Sequence, residues 1–234
     1  MPHTHTTRSR LALTLTAAVA AGMVYAHGDV APQPVNTDVL PELGDEWLIE
    51  NPYRADKVGE EVWQAAIDIG ASGYNQNCAR CHGLEAISGG LAPDVRFLEA
   101  EEYGDEWYVE RFRHGYTQNG TTKMPAFGEL LGQEAAWAIR TYIETRPDDM
   151  AMEEVSGELK AIRDELAAAA DGGADVDTGA VLARLEEISA EIETMSGAPV
   201  ADSVARRAAL VLAADAGDHA QAAEILTVGL SAAN

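Results

Sequence analysis

The sequence is poor in cysteine and in aromatic residues. Of 234 residues only Cys78 and Cys81 are cysteines, and 6% are aromatic. Two cysteines are too few for the disulfide framework of a small secreted scaffold or for a four-cysteine zinc site. The chain is nevertheless 47% hydrophobic, which is typical of a globular protein. We therefore expect a core of aliphatic residues and alanine-rich helices, or one completed by a large non-protein group.

Positive charge is also scarce. Lys and Arg number 16 against 39 Asp and Glu, which gives a formal net charge of -23. A surface this acidic repels a phosphate backbone, so we expect no nucleic-acid partner.

The chain lacks an apolar run long enough to span a membrane. The run that begins at Leu11 follows Arg8 and Arg10 and extends over about 15 residues, whereas a span needs about 20. Small residues then lead to Ala26. The pattern predicts a signal peptide over residues 1–26, cleaved after Ala26, with no membrane span in the exported protein.

Charge divides the remaining chain into three parts. Residues 27–52 hold six acids, no base and four prolines, which predicts an extended lead-in outside the core. Residues 53–147 have a net charge of -6 and contain both cysteines, so we expect the chemistry there. Residues 148–234 have a net charge of -13, no aromatic residue and much alanine.

Apolar residues recur at helical spacing in this C-terminal part. The pattern predicts helices over residues 155–166 and 181–195, and two more over 204–214 and 219–230. Short breaks between them predict an α-helical, hairpin-like extension.

The two cysteines belong to Cys78-Ala79-Arg80-Cys81-His82, the C-x-x-C-H signature of covalent haem attachment. Thiols three positions apart lie about one helical turn from each other and can add to the two vinyl groups of one porphyrin. His82 is then placed to bind the iron. A thioredoxin-like dithiol would be expected after a strand, but residues 60–77 have a helical pattern. A zinc site would need further cysteines.

A haem iron has either a sixth ligand or an open position. Met124 is the strongest candidate, because it lies in a glycine- and threonine-rich segment expected to be an irregular loop. His114, at the end of a helix predicted over residues 106–113, and His219, in a predicted turn, stay open as alternatives. The remaining methionines after His82 are expected to start a helix or to lie on its apolar face; they are Met150, Met152 and Met195.

Residues 70–147 resemble a class I bacterial cytochrome c. Within that class, residues 75–96 and 123–143 are most similar to the soluble periplasmic cytochromes that accept electrons from quinoprotein (PQQ-dependent) alcohol dehydrogenases. The resemblance rests on Gly70 and Tyr74, on Asn77-Cys78-Ala79-Arg80-Cys81-His82-Gly83, on Met124-Pro125, and on a closing helix over residues 131–143.

The resemblance implies an all-α fold, a class I cytochrome c domain around one covalently bound haem c, followed by the helical extension. It implies that Cys78 and Cys81 form the thioethers, that His82 is the proximal iron ligand and that Met124 is the distal one. It further implies that the carbonyl of Pro93 accepts the ring N–H of His82.

Two positions outside the ligand set also follow from the resemblance. Gly70 would let the first long helix cross the last near Tyr142, because a missing side chain permits close backbone approach.

The function implied is electron transfer in the periplasm, not enzymatic catalysis. The donor would be a quinoprotein alcohol dehydrogenase, and the acceptor a terminal respiratory oxidase or another cytochrome. His/Met ligation fills both axial positions and favours ferrous haem. Arg80 and Lys123 flank the ligand motifs and are either a local docking charge or scattered surface charges.

Two other functions stay open. One is a haem enzyme of peroxidase type, in which the distal ligand is labile. The other is a cytochrome subunit that docks to a larger redox complex through the C-terminal extension.

Overall fold

Helices dominate the structure, as the sequence predicts. The computed structural model describes residues 32–173 and 175–232, and the predicted signal peptide lies outside these ranges. Within them the fold is mostly helical, as expected, with one two-stranded antiparallel hairpin added. The elements are α1 (Ala55–Val58), α2 (Glu60–Asn77), α3 (Ala79–His82), α4 (Glu102–His114), β1 (Tyr116–Gln118), β2 (Thr121–Met124), α5 (Gly128–Glu144), α6 (Asp149–Ala170), α7 (Thr178–Glu191), α8 (Val204–Ala214) and α9 (His219–Ala232), with 3-10 turns at Leu84–Ala86 and Val95–Phe97.

Helices α2 and α5 cross at Gly70. A Cβ atom at this position would lie 2.0 Å from the carbonyl oxygen of Ala138 and 2.9 Å from Cβ of Tyr142. Only glycine permits this approach, since any side chain would collide with the backbone of α5. The rings of Tyr74 and Tyr142 pack beside the crossing, with centroids 5.4 Å apart. The crossing near Tyr142 that the resemblance implied is therefore present.

The few aromatic residues are concentrated in one core. The ring of Phe112 in α4 has its centroid 6.4 Å from Trp47, 5.9 Å from Tyr108 and 5.8 Å from Phe127. Tyr108 in turn lies 6.3 Å from Trp137 of α5. These tilted contacts are the favoured geometry for aromatic pairs. Helix α4 begins earlier and ends one residue later than the predicted stretch over residues 106–113.

The lead-in has no helix or strand between residues 32 and 54, yet it contributes to the core. Leu40 is buried in the same cluster as the α2 and α5 side chains. The hydroxyl of Tyr53 donates to Pro41 O at 2.8 Å, and Gln133 Nε2 donates to Gly44 O at 2.5 Å. The expectation that this segment lies outside the core is wrong, because α5 side chains satisfy its backbone carbonyls.

A buried polar network joins the lead-in to α4 and α5. Asp105 is fully buried and pairs with both Arg54 and Arg140 at 2.9 Å. Arg54 also pairs with Glu144 at 2.8 Å, and the side-chain amide of Asn51 donates to Glu144 at 3.1 Å. Buried charges persist only when they are paired in this way. The network therefore fixes the entry of the chain into α1.

The C-terminal helices form a second core without aromatic residues. Helix α6 packs against α9, α9 against α8, and α8 against α7. Three helices have a capping side chain at the N-terminus: Asp148 accepts from Met150 N, Asp177 from Ala180 N, and Ser203 from Arg206 N. The buried residues of this core include Leu159, Leu166, Leu185, Ile188, Leu212 and Leu226.

One detail of the predicted extension is wrong. Helix α7 ends at Glu191, so Met195 lies beyond it, because the backbone turns extended at Ile192. His219 begins α9, in agreement with the helix predicted over residues 219–230, and its Nε2 atom is 2.8 Å from Oγ1 of Thr178.

The segment between α7 and α8 packs on the N-terminal core. Pro147 forms an isolated antiparallel bridge with Thr194, and Ala100 N donates to Ser196 O at 2.9 Å. Ala201 is buried among the core residues of α2, α4 and α5. No helix of the part of the chain that the structure describes is long and apolar enough to cross a membrane.

Candidate haem site

The two cysteines lie at the junction of α2 and α3. Cys78 ends α2, and the amides of Cys81 and His82 both lie 3.0 Å from Cys78 O. This single turn brings Cys81 back onto the face of Cys78. Neither cysteine forms a disulfide. Burial and the neighbouring Cys81 raise the pKa of the Cys78 thiol to about 12, so it remains protonated at neutral pH.

The ring of His82 is oriented by the backbone of Pro93. Nδ1 of His82 lies 2.8 Å from Pro93 O. Because a carbonyl can only accept, Nδ1 carries the proton and Nε2 keeps the lone pair that can bind a metal. Gly83 follows with a φ of 86°, and a Cβ atom there would lie 1.8 Å from Ile87 O. The hydroxyl of Tyr74 donates to Gly83 O at 2.9 Å, which holds this turn against α2.

Met124 ends a strand and does not lie in an irregular loop. In the hairpin Tyr116 pairs with Met124, and Asn119 and Gly120 form the turn with positive φ angles. Gly115 packs against the end of the hairpin, where a Cβ atom would lie 2.4 Å from Met124 O. The expected loop is therefore wrong, because a tight Asn-Gly turn closes the segment into paired strands.

Cys78 and Met124 pack against the same core. Both are half-buried beside the cluster that contains Phe112 and Trp137. Near His82 in the sequence, Leu84 is 72% exposed and Leu91 is 77% exposed. Large aliphatic side chains left exposed close in sequence to a pair of thiols and an imidazole fit a covalently attached porphyrin, which would cover them.

The structure places the alternative iron ligands in different surroundings. His114 is exposed at the end of α4, with Nε2 3.8 Å from a carboxylate oxygen of Glu110, and His219 contacts Thr178 beside the second core. Met152 packs against that second core. Met150 is exposed on α6 and not in a core.

Cationic side chains lie in the C-x-x-C-H turn and on or beside the hairpin. Arg80 and Lys123 are exposed, as the flanking positions predicted. The guanidinium of Arg111 stacks 5.2 Å from the ring centroids of both Trp107 and Tyr116, and Tyr116 pairs with Met124. Sequence reasoning did not single out Arg111, although its i, i+4 spacing from Trp107 on a predicted helix was a usable signal.

Two buried arginines near the site were also missed. Arg96 pairs with Asp94, which lies next to Pro93, and Arg146 pairs with Glu85, three residues after His82. The Asp94–Arg96 pair has a local signal, since an aspartate two residues before an arginine can cap a turn. The Arg146 pair has none, because its partner lies some 60 residues away in the chain.

Known proteins resemble the chain in this same region. Residues 65–143 match the family described as Cytochrome C oxidase, cbb3-type, subunit III. Cytochrome c550 of Pseudomonas aeruginosa is 49% identical over 133 residues, which are 57% of this chain and 90% of that protein. No solved structure shows significant similarity to the chain.

Two longer proteins share a part of the chain. Quinohemoprotein alcohol dehydrogenase ADH-IIG of Pseudomonas putida is 33% identical over 89 residues, 38% of this chain and 12% of the dehydrogenase. The cbb3-type oxidase subunit FixP of Rhizobium meliloti is 26% identical over 153 residues, 60% of this chain and 47% of the subunit.

Extensive identity to a cytochrome c and the mostly helical architecture lead to one conclusion. The expected class I cytochrome c fold and the expected covalent haem c are confirmed. The chain belongs to the cytochrome c family, as a cytochrome c550-like electron carrier with covalently bound haem c and not as an enzyme.

Proposed function

We propose that this cytochrome is exported to the periplasm and carries single electrons from a quinoprotein alcohol dehydrogenase to a respiratory oxidase or another cytochrome. A quinohemoprotein alcohol dehydrogenase and a cbb3-type oxidase subunit both contain a segment similar to this chain. A separate carrier between such enzymes is expected to resemble their cytochrome portions. Export rests on the signal peptide predicted over residues 1–26.

The haem ligands that we propose are those implied by the resemblance. Cys78 and Cys81 form the thioethers, His82 Nε2 is the proximal ligand and the sulfur of Met124 the distal one. The observation that carries this assignment is the bond from His82 Nδ1 to Pro93 O at 2.8 Å, which leaves Nε2 for a metal. In many metal sites a backbone carbonyl accepts the second ring N–H of a ligating histidine and so fixes the orientation of the ring, as Pro93 O does here.

Bound haem c supplies a one-electron couple between ferric and ferrous iron. The chain would hold the iron through His82 and Met124, which would leave no position for a substrate, and would keep these side chains in place during electron transfer. Gly83 and Gly115 permit close packing of the ligand segments, because a Cβ atom at either position would collide with a neighbouring backbone.

The docking surface for redox partners follows from exposure and charge. Arg80 and Lys123 are exposed and add positive charge beside the ligand motifs of an otherwise acidic protein. Redox partners of this kind meet through small, transient interfaces in which charge mainly steers the encounter.

The domain boundaries that we propose separate a haem domain over residues 53–147 from the lead-in over 27–52 and the extension over 148–234. The two separate hydrophobic cores support the second boundary. The burial of Ala201 in the first core indicates that the extension is docked on the haem domain.

Two measurements test the proposal. The reduced full-length protein is converted to its pyridine haemochrome, which distinguishes haem c with two thioethers from haem b. The ferric protein is then mixed with a purified quinoprotein alcohol dehydrogenase and its alcohol in a stopped-flow spectrometer. We expect haem c and reduction at a rate that rises with dehydrogenase concentration.

The outcomes separate the ligand assignment from the donor assignment. A ferric haem that is high-spin and binds cyanide readily at neutral pH would contradict the proposed His82/Met124 ligation. Absence of reduction by the dehydrogenase, with an intact low-spin haem, would contradict the proposed donor and leave the electron-carrier assignment in place.

A further inference from the structure

Two buried arginines connect the segments around His82 to the C-terminal extension. We call residues 83–87 and 93–97 the proximal segments, because they follow His82 and carry the carbonyl of Pro93. Arg96 and Arg146 are 2% and 3% exposed, respectively. Each one binds an acid in a proximal segment and an acid in the extension.

Arg146 joins the first proximal segment to the chain before α8. Its guanidinium lies 2.8 Å from a carboxylate oxygen of Glu85 and 2.8 Å from one of Asp202. It also donates to Asp202 O at 3.1 Å and stacks 4.9 Å from the ring centroid of Tyr142. Because the guanidinium is buried, loss of either carboxylate would leave part of its charge without a partner, so Arg146 links the two parts.

The segment that Arg146 holds has an unfavourable backbone. Glu85 and Ala86 both have positive φ angles, 57° and 64°, although neither is a glycine. Such residues persist only where the surroundings determine their conformation. The ion pair of Glu85 and the complete burial of Ala86 are the constraints that the structure provides here.

Arg96 joins the second proximal segment to the start of α6. It pairs with Asp94 at 2.7 Å and with Asp149 at 2.8 Å, and it donates to Pro147 O at 3.3 Å. Asp94 follows the residue whose carbonyl binds His82, and it accepts from Arg96 N at 3.0 Å. A shift of α6 would therefore be passed to the carbonyl of Pro93.

We propose that the C-terminal extension positions His82: through Arg96 and Arg146 it fixes the proximal segments, and so sets the Nδ1–H to Pro93 O hydrogen bond and the reduction potential. Arg96 and Arg146 are positioning residues that act through Pro93 and the backbone around residue 85. The inference rests on the proposed role of His82 as proximal ligand.

The expected direction follows from ligand basicity. A strong hydrogen bond from Nδ1 makes the imidazole a better donor, which stabilises ferric over ferrous iron. Loosening this bond should therefore raise the reduction potential. We expect a threefold to tenfold rise in the ratio of reduced to oxidised protein at fixed potential, where tenfold corresponds to ~59 mV for one electron.

The main test uses full-length holoprotein and variants of the extension. Asp149→Asn and Asp202→Asn each remove one carboxylate partner from Arg96 or Arg146, and the double variant removes both. Asp164→Asn is the matched control, because it removes the same charge from α6, where Asp164 pairs with the adjacent Arg163. Two quantities are measured: the midpoint potential, and the exchange rate of the His82 Nδ1 proton in the ferrous protein by NMR.

We expect the double variant to exchange this proton at least tenfold faster than wild type and to have a raised potential, whereas Asp164→Asn stays within twofold. Arg96→Lys is a second variant for the same measurements, because it keeps the positive charge but loses the bidentate contact with Asp149. Unchanged exchange in both the double variant and Arg96→Lys, with haem intact, would overturn the proposal. A wild-type protein without His/Met-ligated haem would instead overturn the proposed function on which it rests.

Discussion

Gly70 faces the carbonyl of Ala138 so closely that a Cβ atom would lie 2.0 Å from its oxygen. Helix α2, which contains Gly70 and Tyr74, leads directly into the haem signature at Cys78. Helix α5, which contains Ala138, also contains Tyr142, whose ring packs against that of Tyr74. The haem site thus depends on a crossing that only a missing side chain permits.

Gly70→Ala should destabilise the protein strongly, by about 3 kcal/mol or more, because the methyl group would force the helices apart or leave them strained. Thermal unfolding followed by circular dichroism measures this loss. Gly157→Ala is the control, since Gly157 lies inside α6 with no atom within 4 Å of an added Cβ. That variant should gain about 0.5–1 kcal/mol from helix propensity. Equal effects at both positions would contradict the crossing.

Met124→Ala should keep haem attached and remove the distal ligand. We expect loss of the absorption band between sulfur and ferric iron, and a lower reduction potential, because thioether ligation favours ferrous haem. Met150→Ala, which changes an exposed methionine on α6, should leave both unchanged. Retention of the band in Met124→Ala would exclude Met124 as the ligand.

Stability should fall in acid partly through Asp94. Burial alone would raise the pKa of this carboxyl, but the hydrogen bonds and charge of Arg96 outweigh it and hold the pKa below its ordinary value. A lowered pKa contributes stability above the unfolded value of about 4, and this contribution is lost as the pH falls through the folded value.

Urea unfolding of the ferric protein at several pH values tests this dependence. Wild type should lose stability steadily below about pH 4, the ordinary aspartate pKa. Asp94→Asn should be less stable at pH 7 and should decline less steeply in acid. A parallel decline in both proteins would show that other carboxyls carry the effect.

Asp105→Ala should cost more than most single changes. Asp105 is the shared partner of Arg54 and Arg140, and its loss leaves the fully buried Arg140 without a carboxylate at 2.9 Å. Removing one partner of a buried pair costs about 3–5 kcal/mol. Chemical denaturation measures the loss, and Asp164→Asn on the exposed face of α6 should change stability by less than about 0.5 kcal/mol.

Lys123→Glu should slow reduction by the proposed dehydrogenase without changing the midpoint potential. Lys123 is exposed on the strand that ends at Met124. An exposed charge there affects the encounter with a partner more strongly than it affects the haem ligands. In wild type the rate should fall as salt is raised, because exposed charges are screened within about 10 Å at 0.1 M. Lys160→Glu, on α6, should behave as wild type. A rate insensitive to both salt and Lys123 would place the docking surface elsewhere.

Several parts of the fold follow from local patterns. The spacing of Trp63, Ile67 and Tyr74 predicts α2, and the C-x-x-C-H signature predicts haem attachment, because each depends on residues within one or two helical turns. The hairpin at Met124 was within reach as well, since Asn119-Gly120 is a strong signal for a tight turn between strands.

Other parts left no local pattern. Asp105 and Arg140 are 35 residues apart, Arg96 and Asp149 are 53 apart, and neither pair could be distinguished by sequence from the many exposed acids and bases. The composition of the lead-in gave no sign that Leu40 is buried, because its burial depends on contacts with core residues that are distant in the sequence.

The sequence by itself determined the chemistry of this protein: it contains the C-x-x-C-H signature of haem attachment, with two cysteines and an adjacent histidine in one turn, and its scarcity of aromatic residues leaves a core for such a group to complete. Only the tertiary structure decided how the extension relates to the haem domain. Buried arginines that each bind two acids from distant segments hold the acidic helices against the segments around His82. Judged by net charge alone, those helices are separate from the haem domain, because a net charge is a sum and does not show which charges are paired.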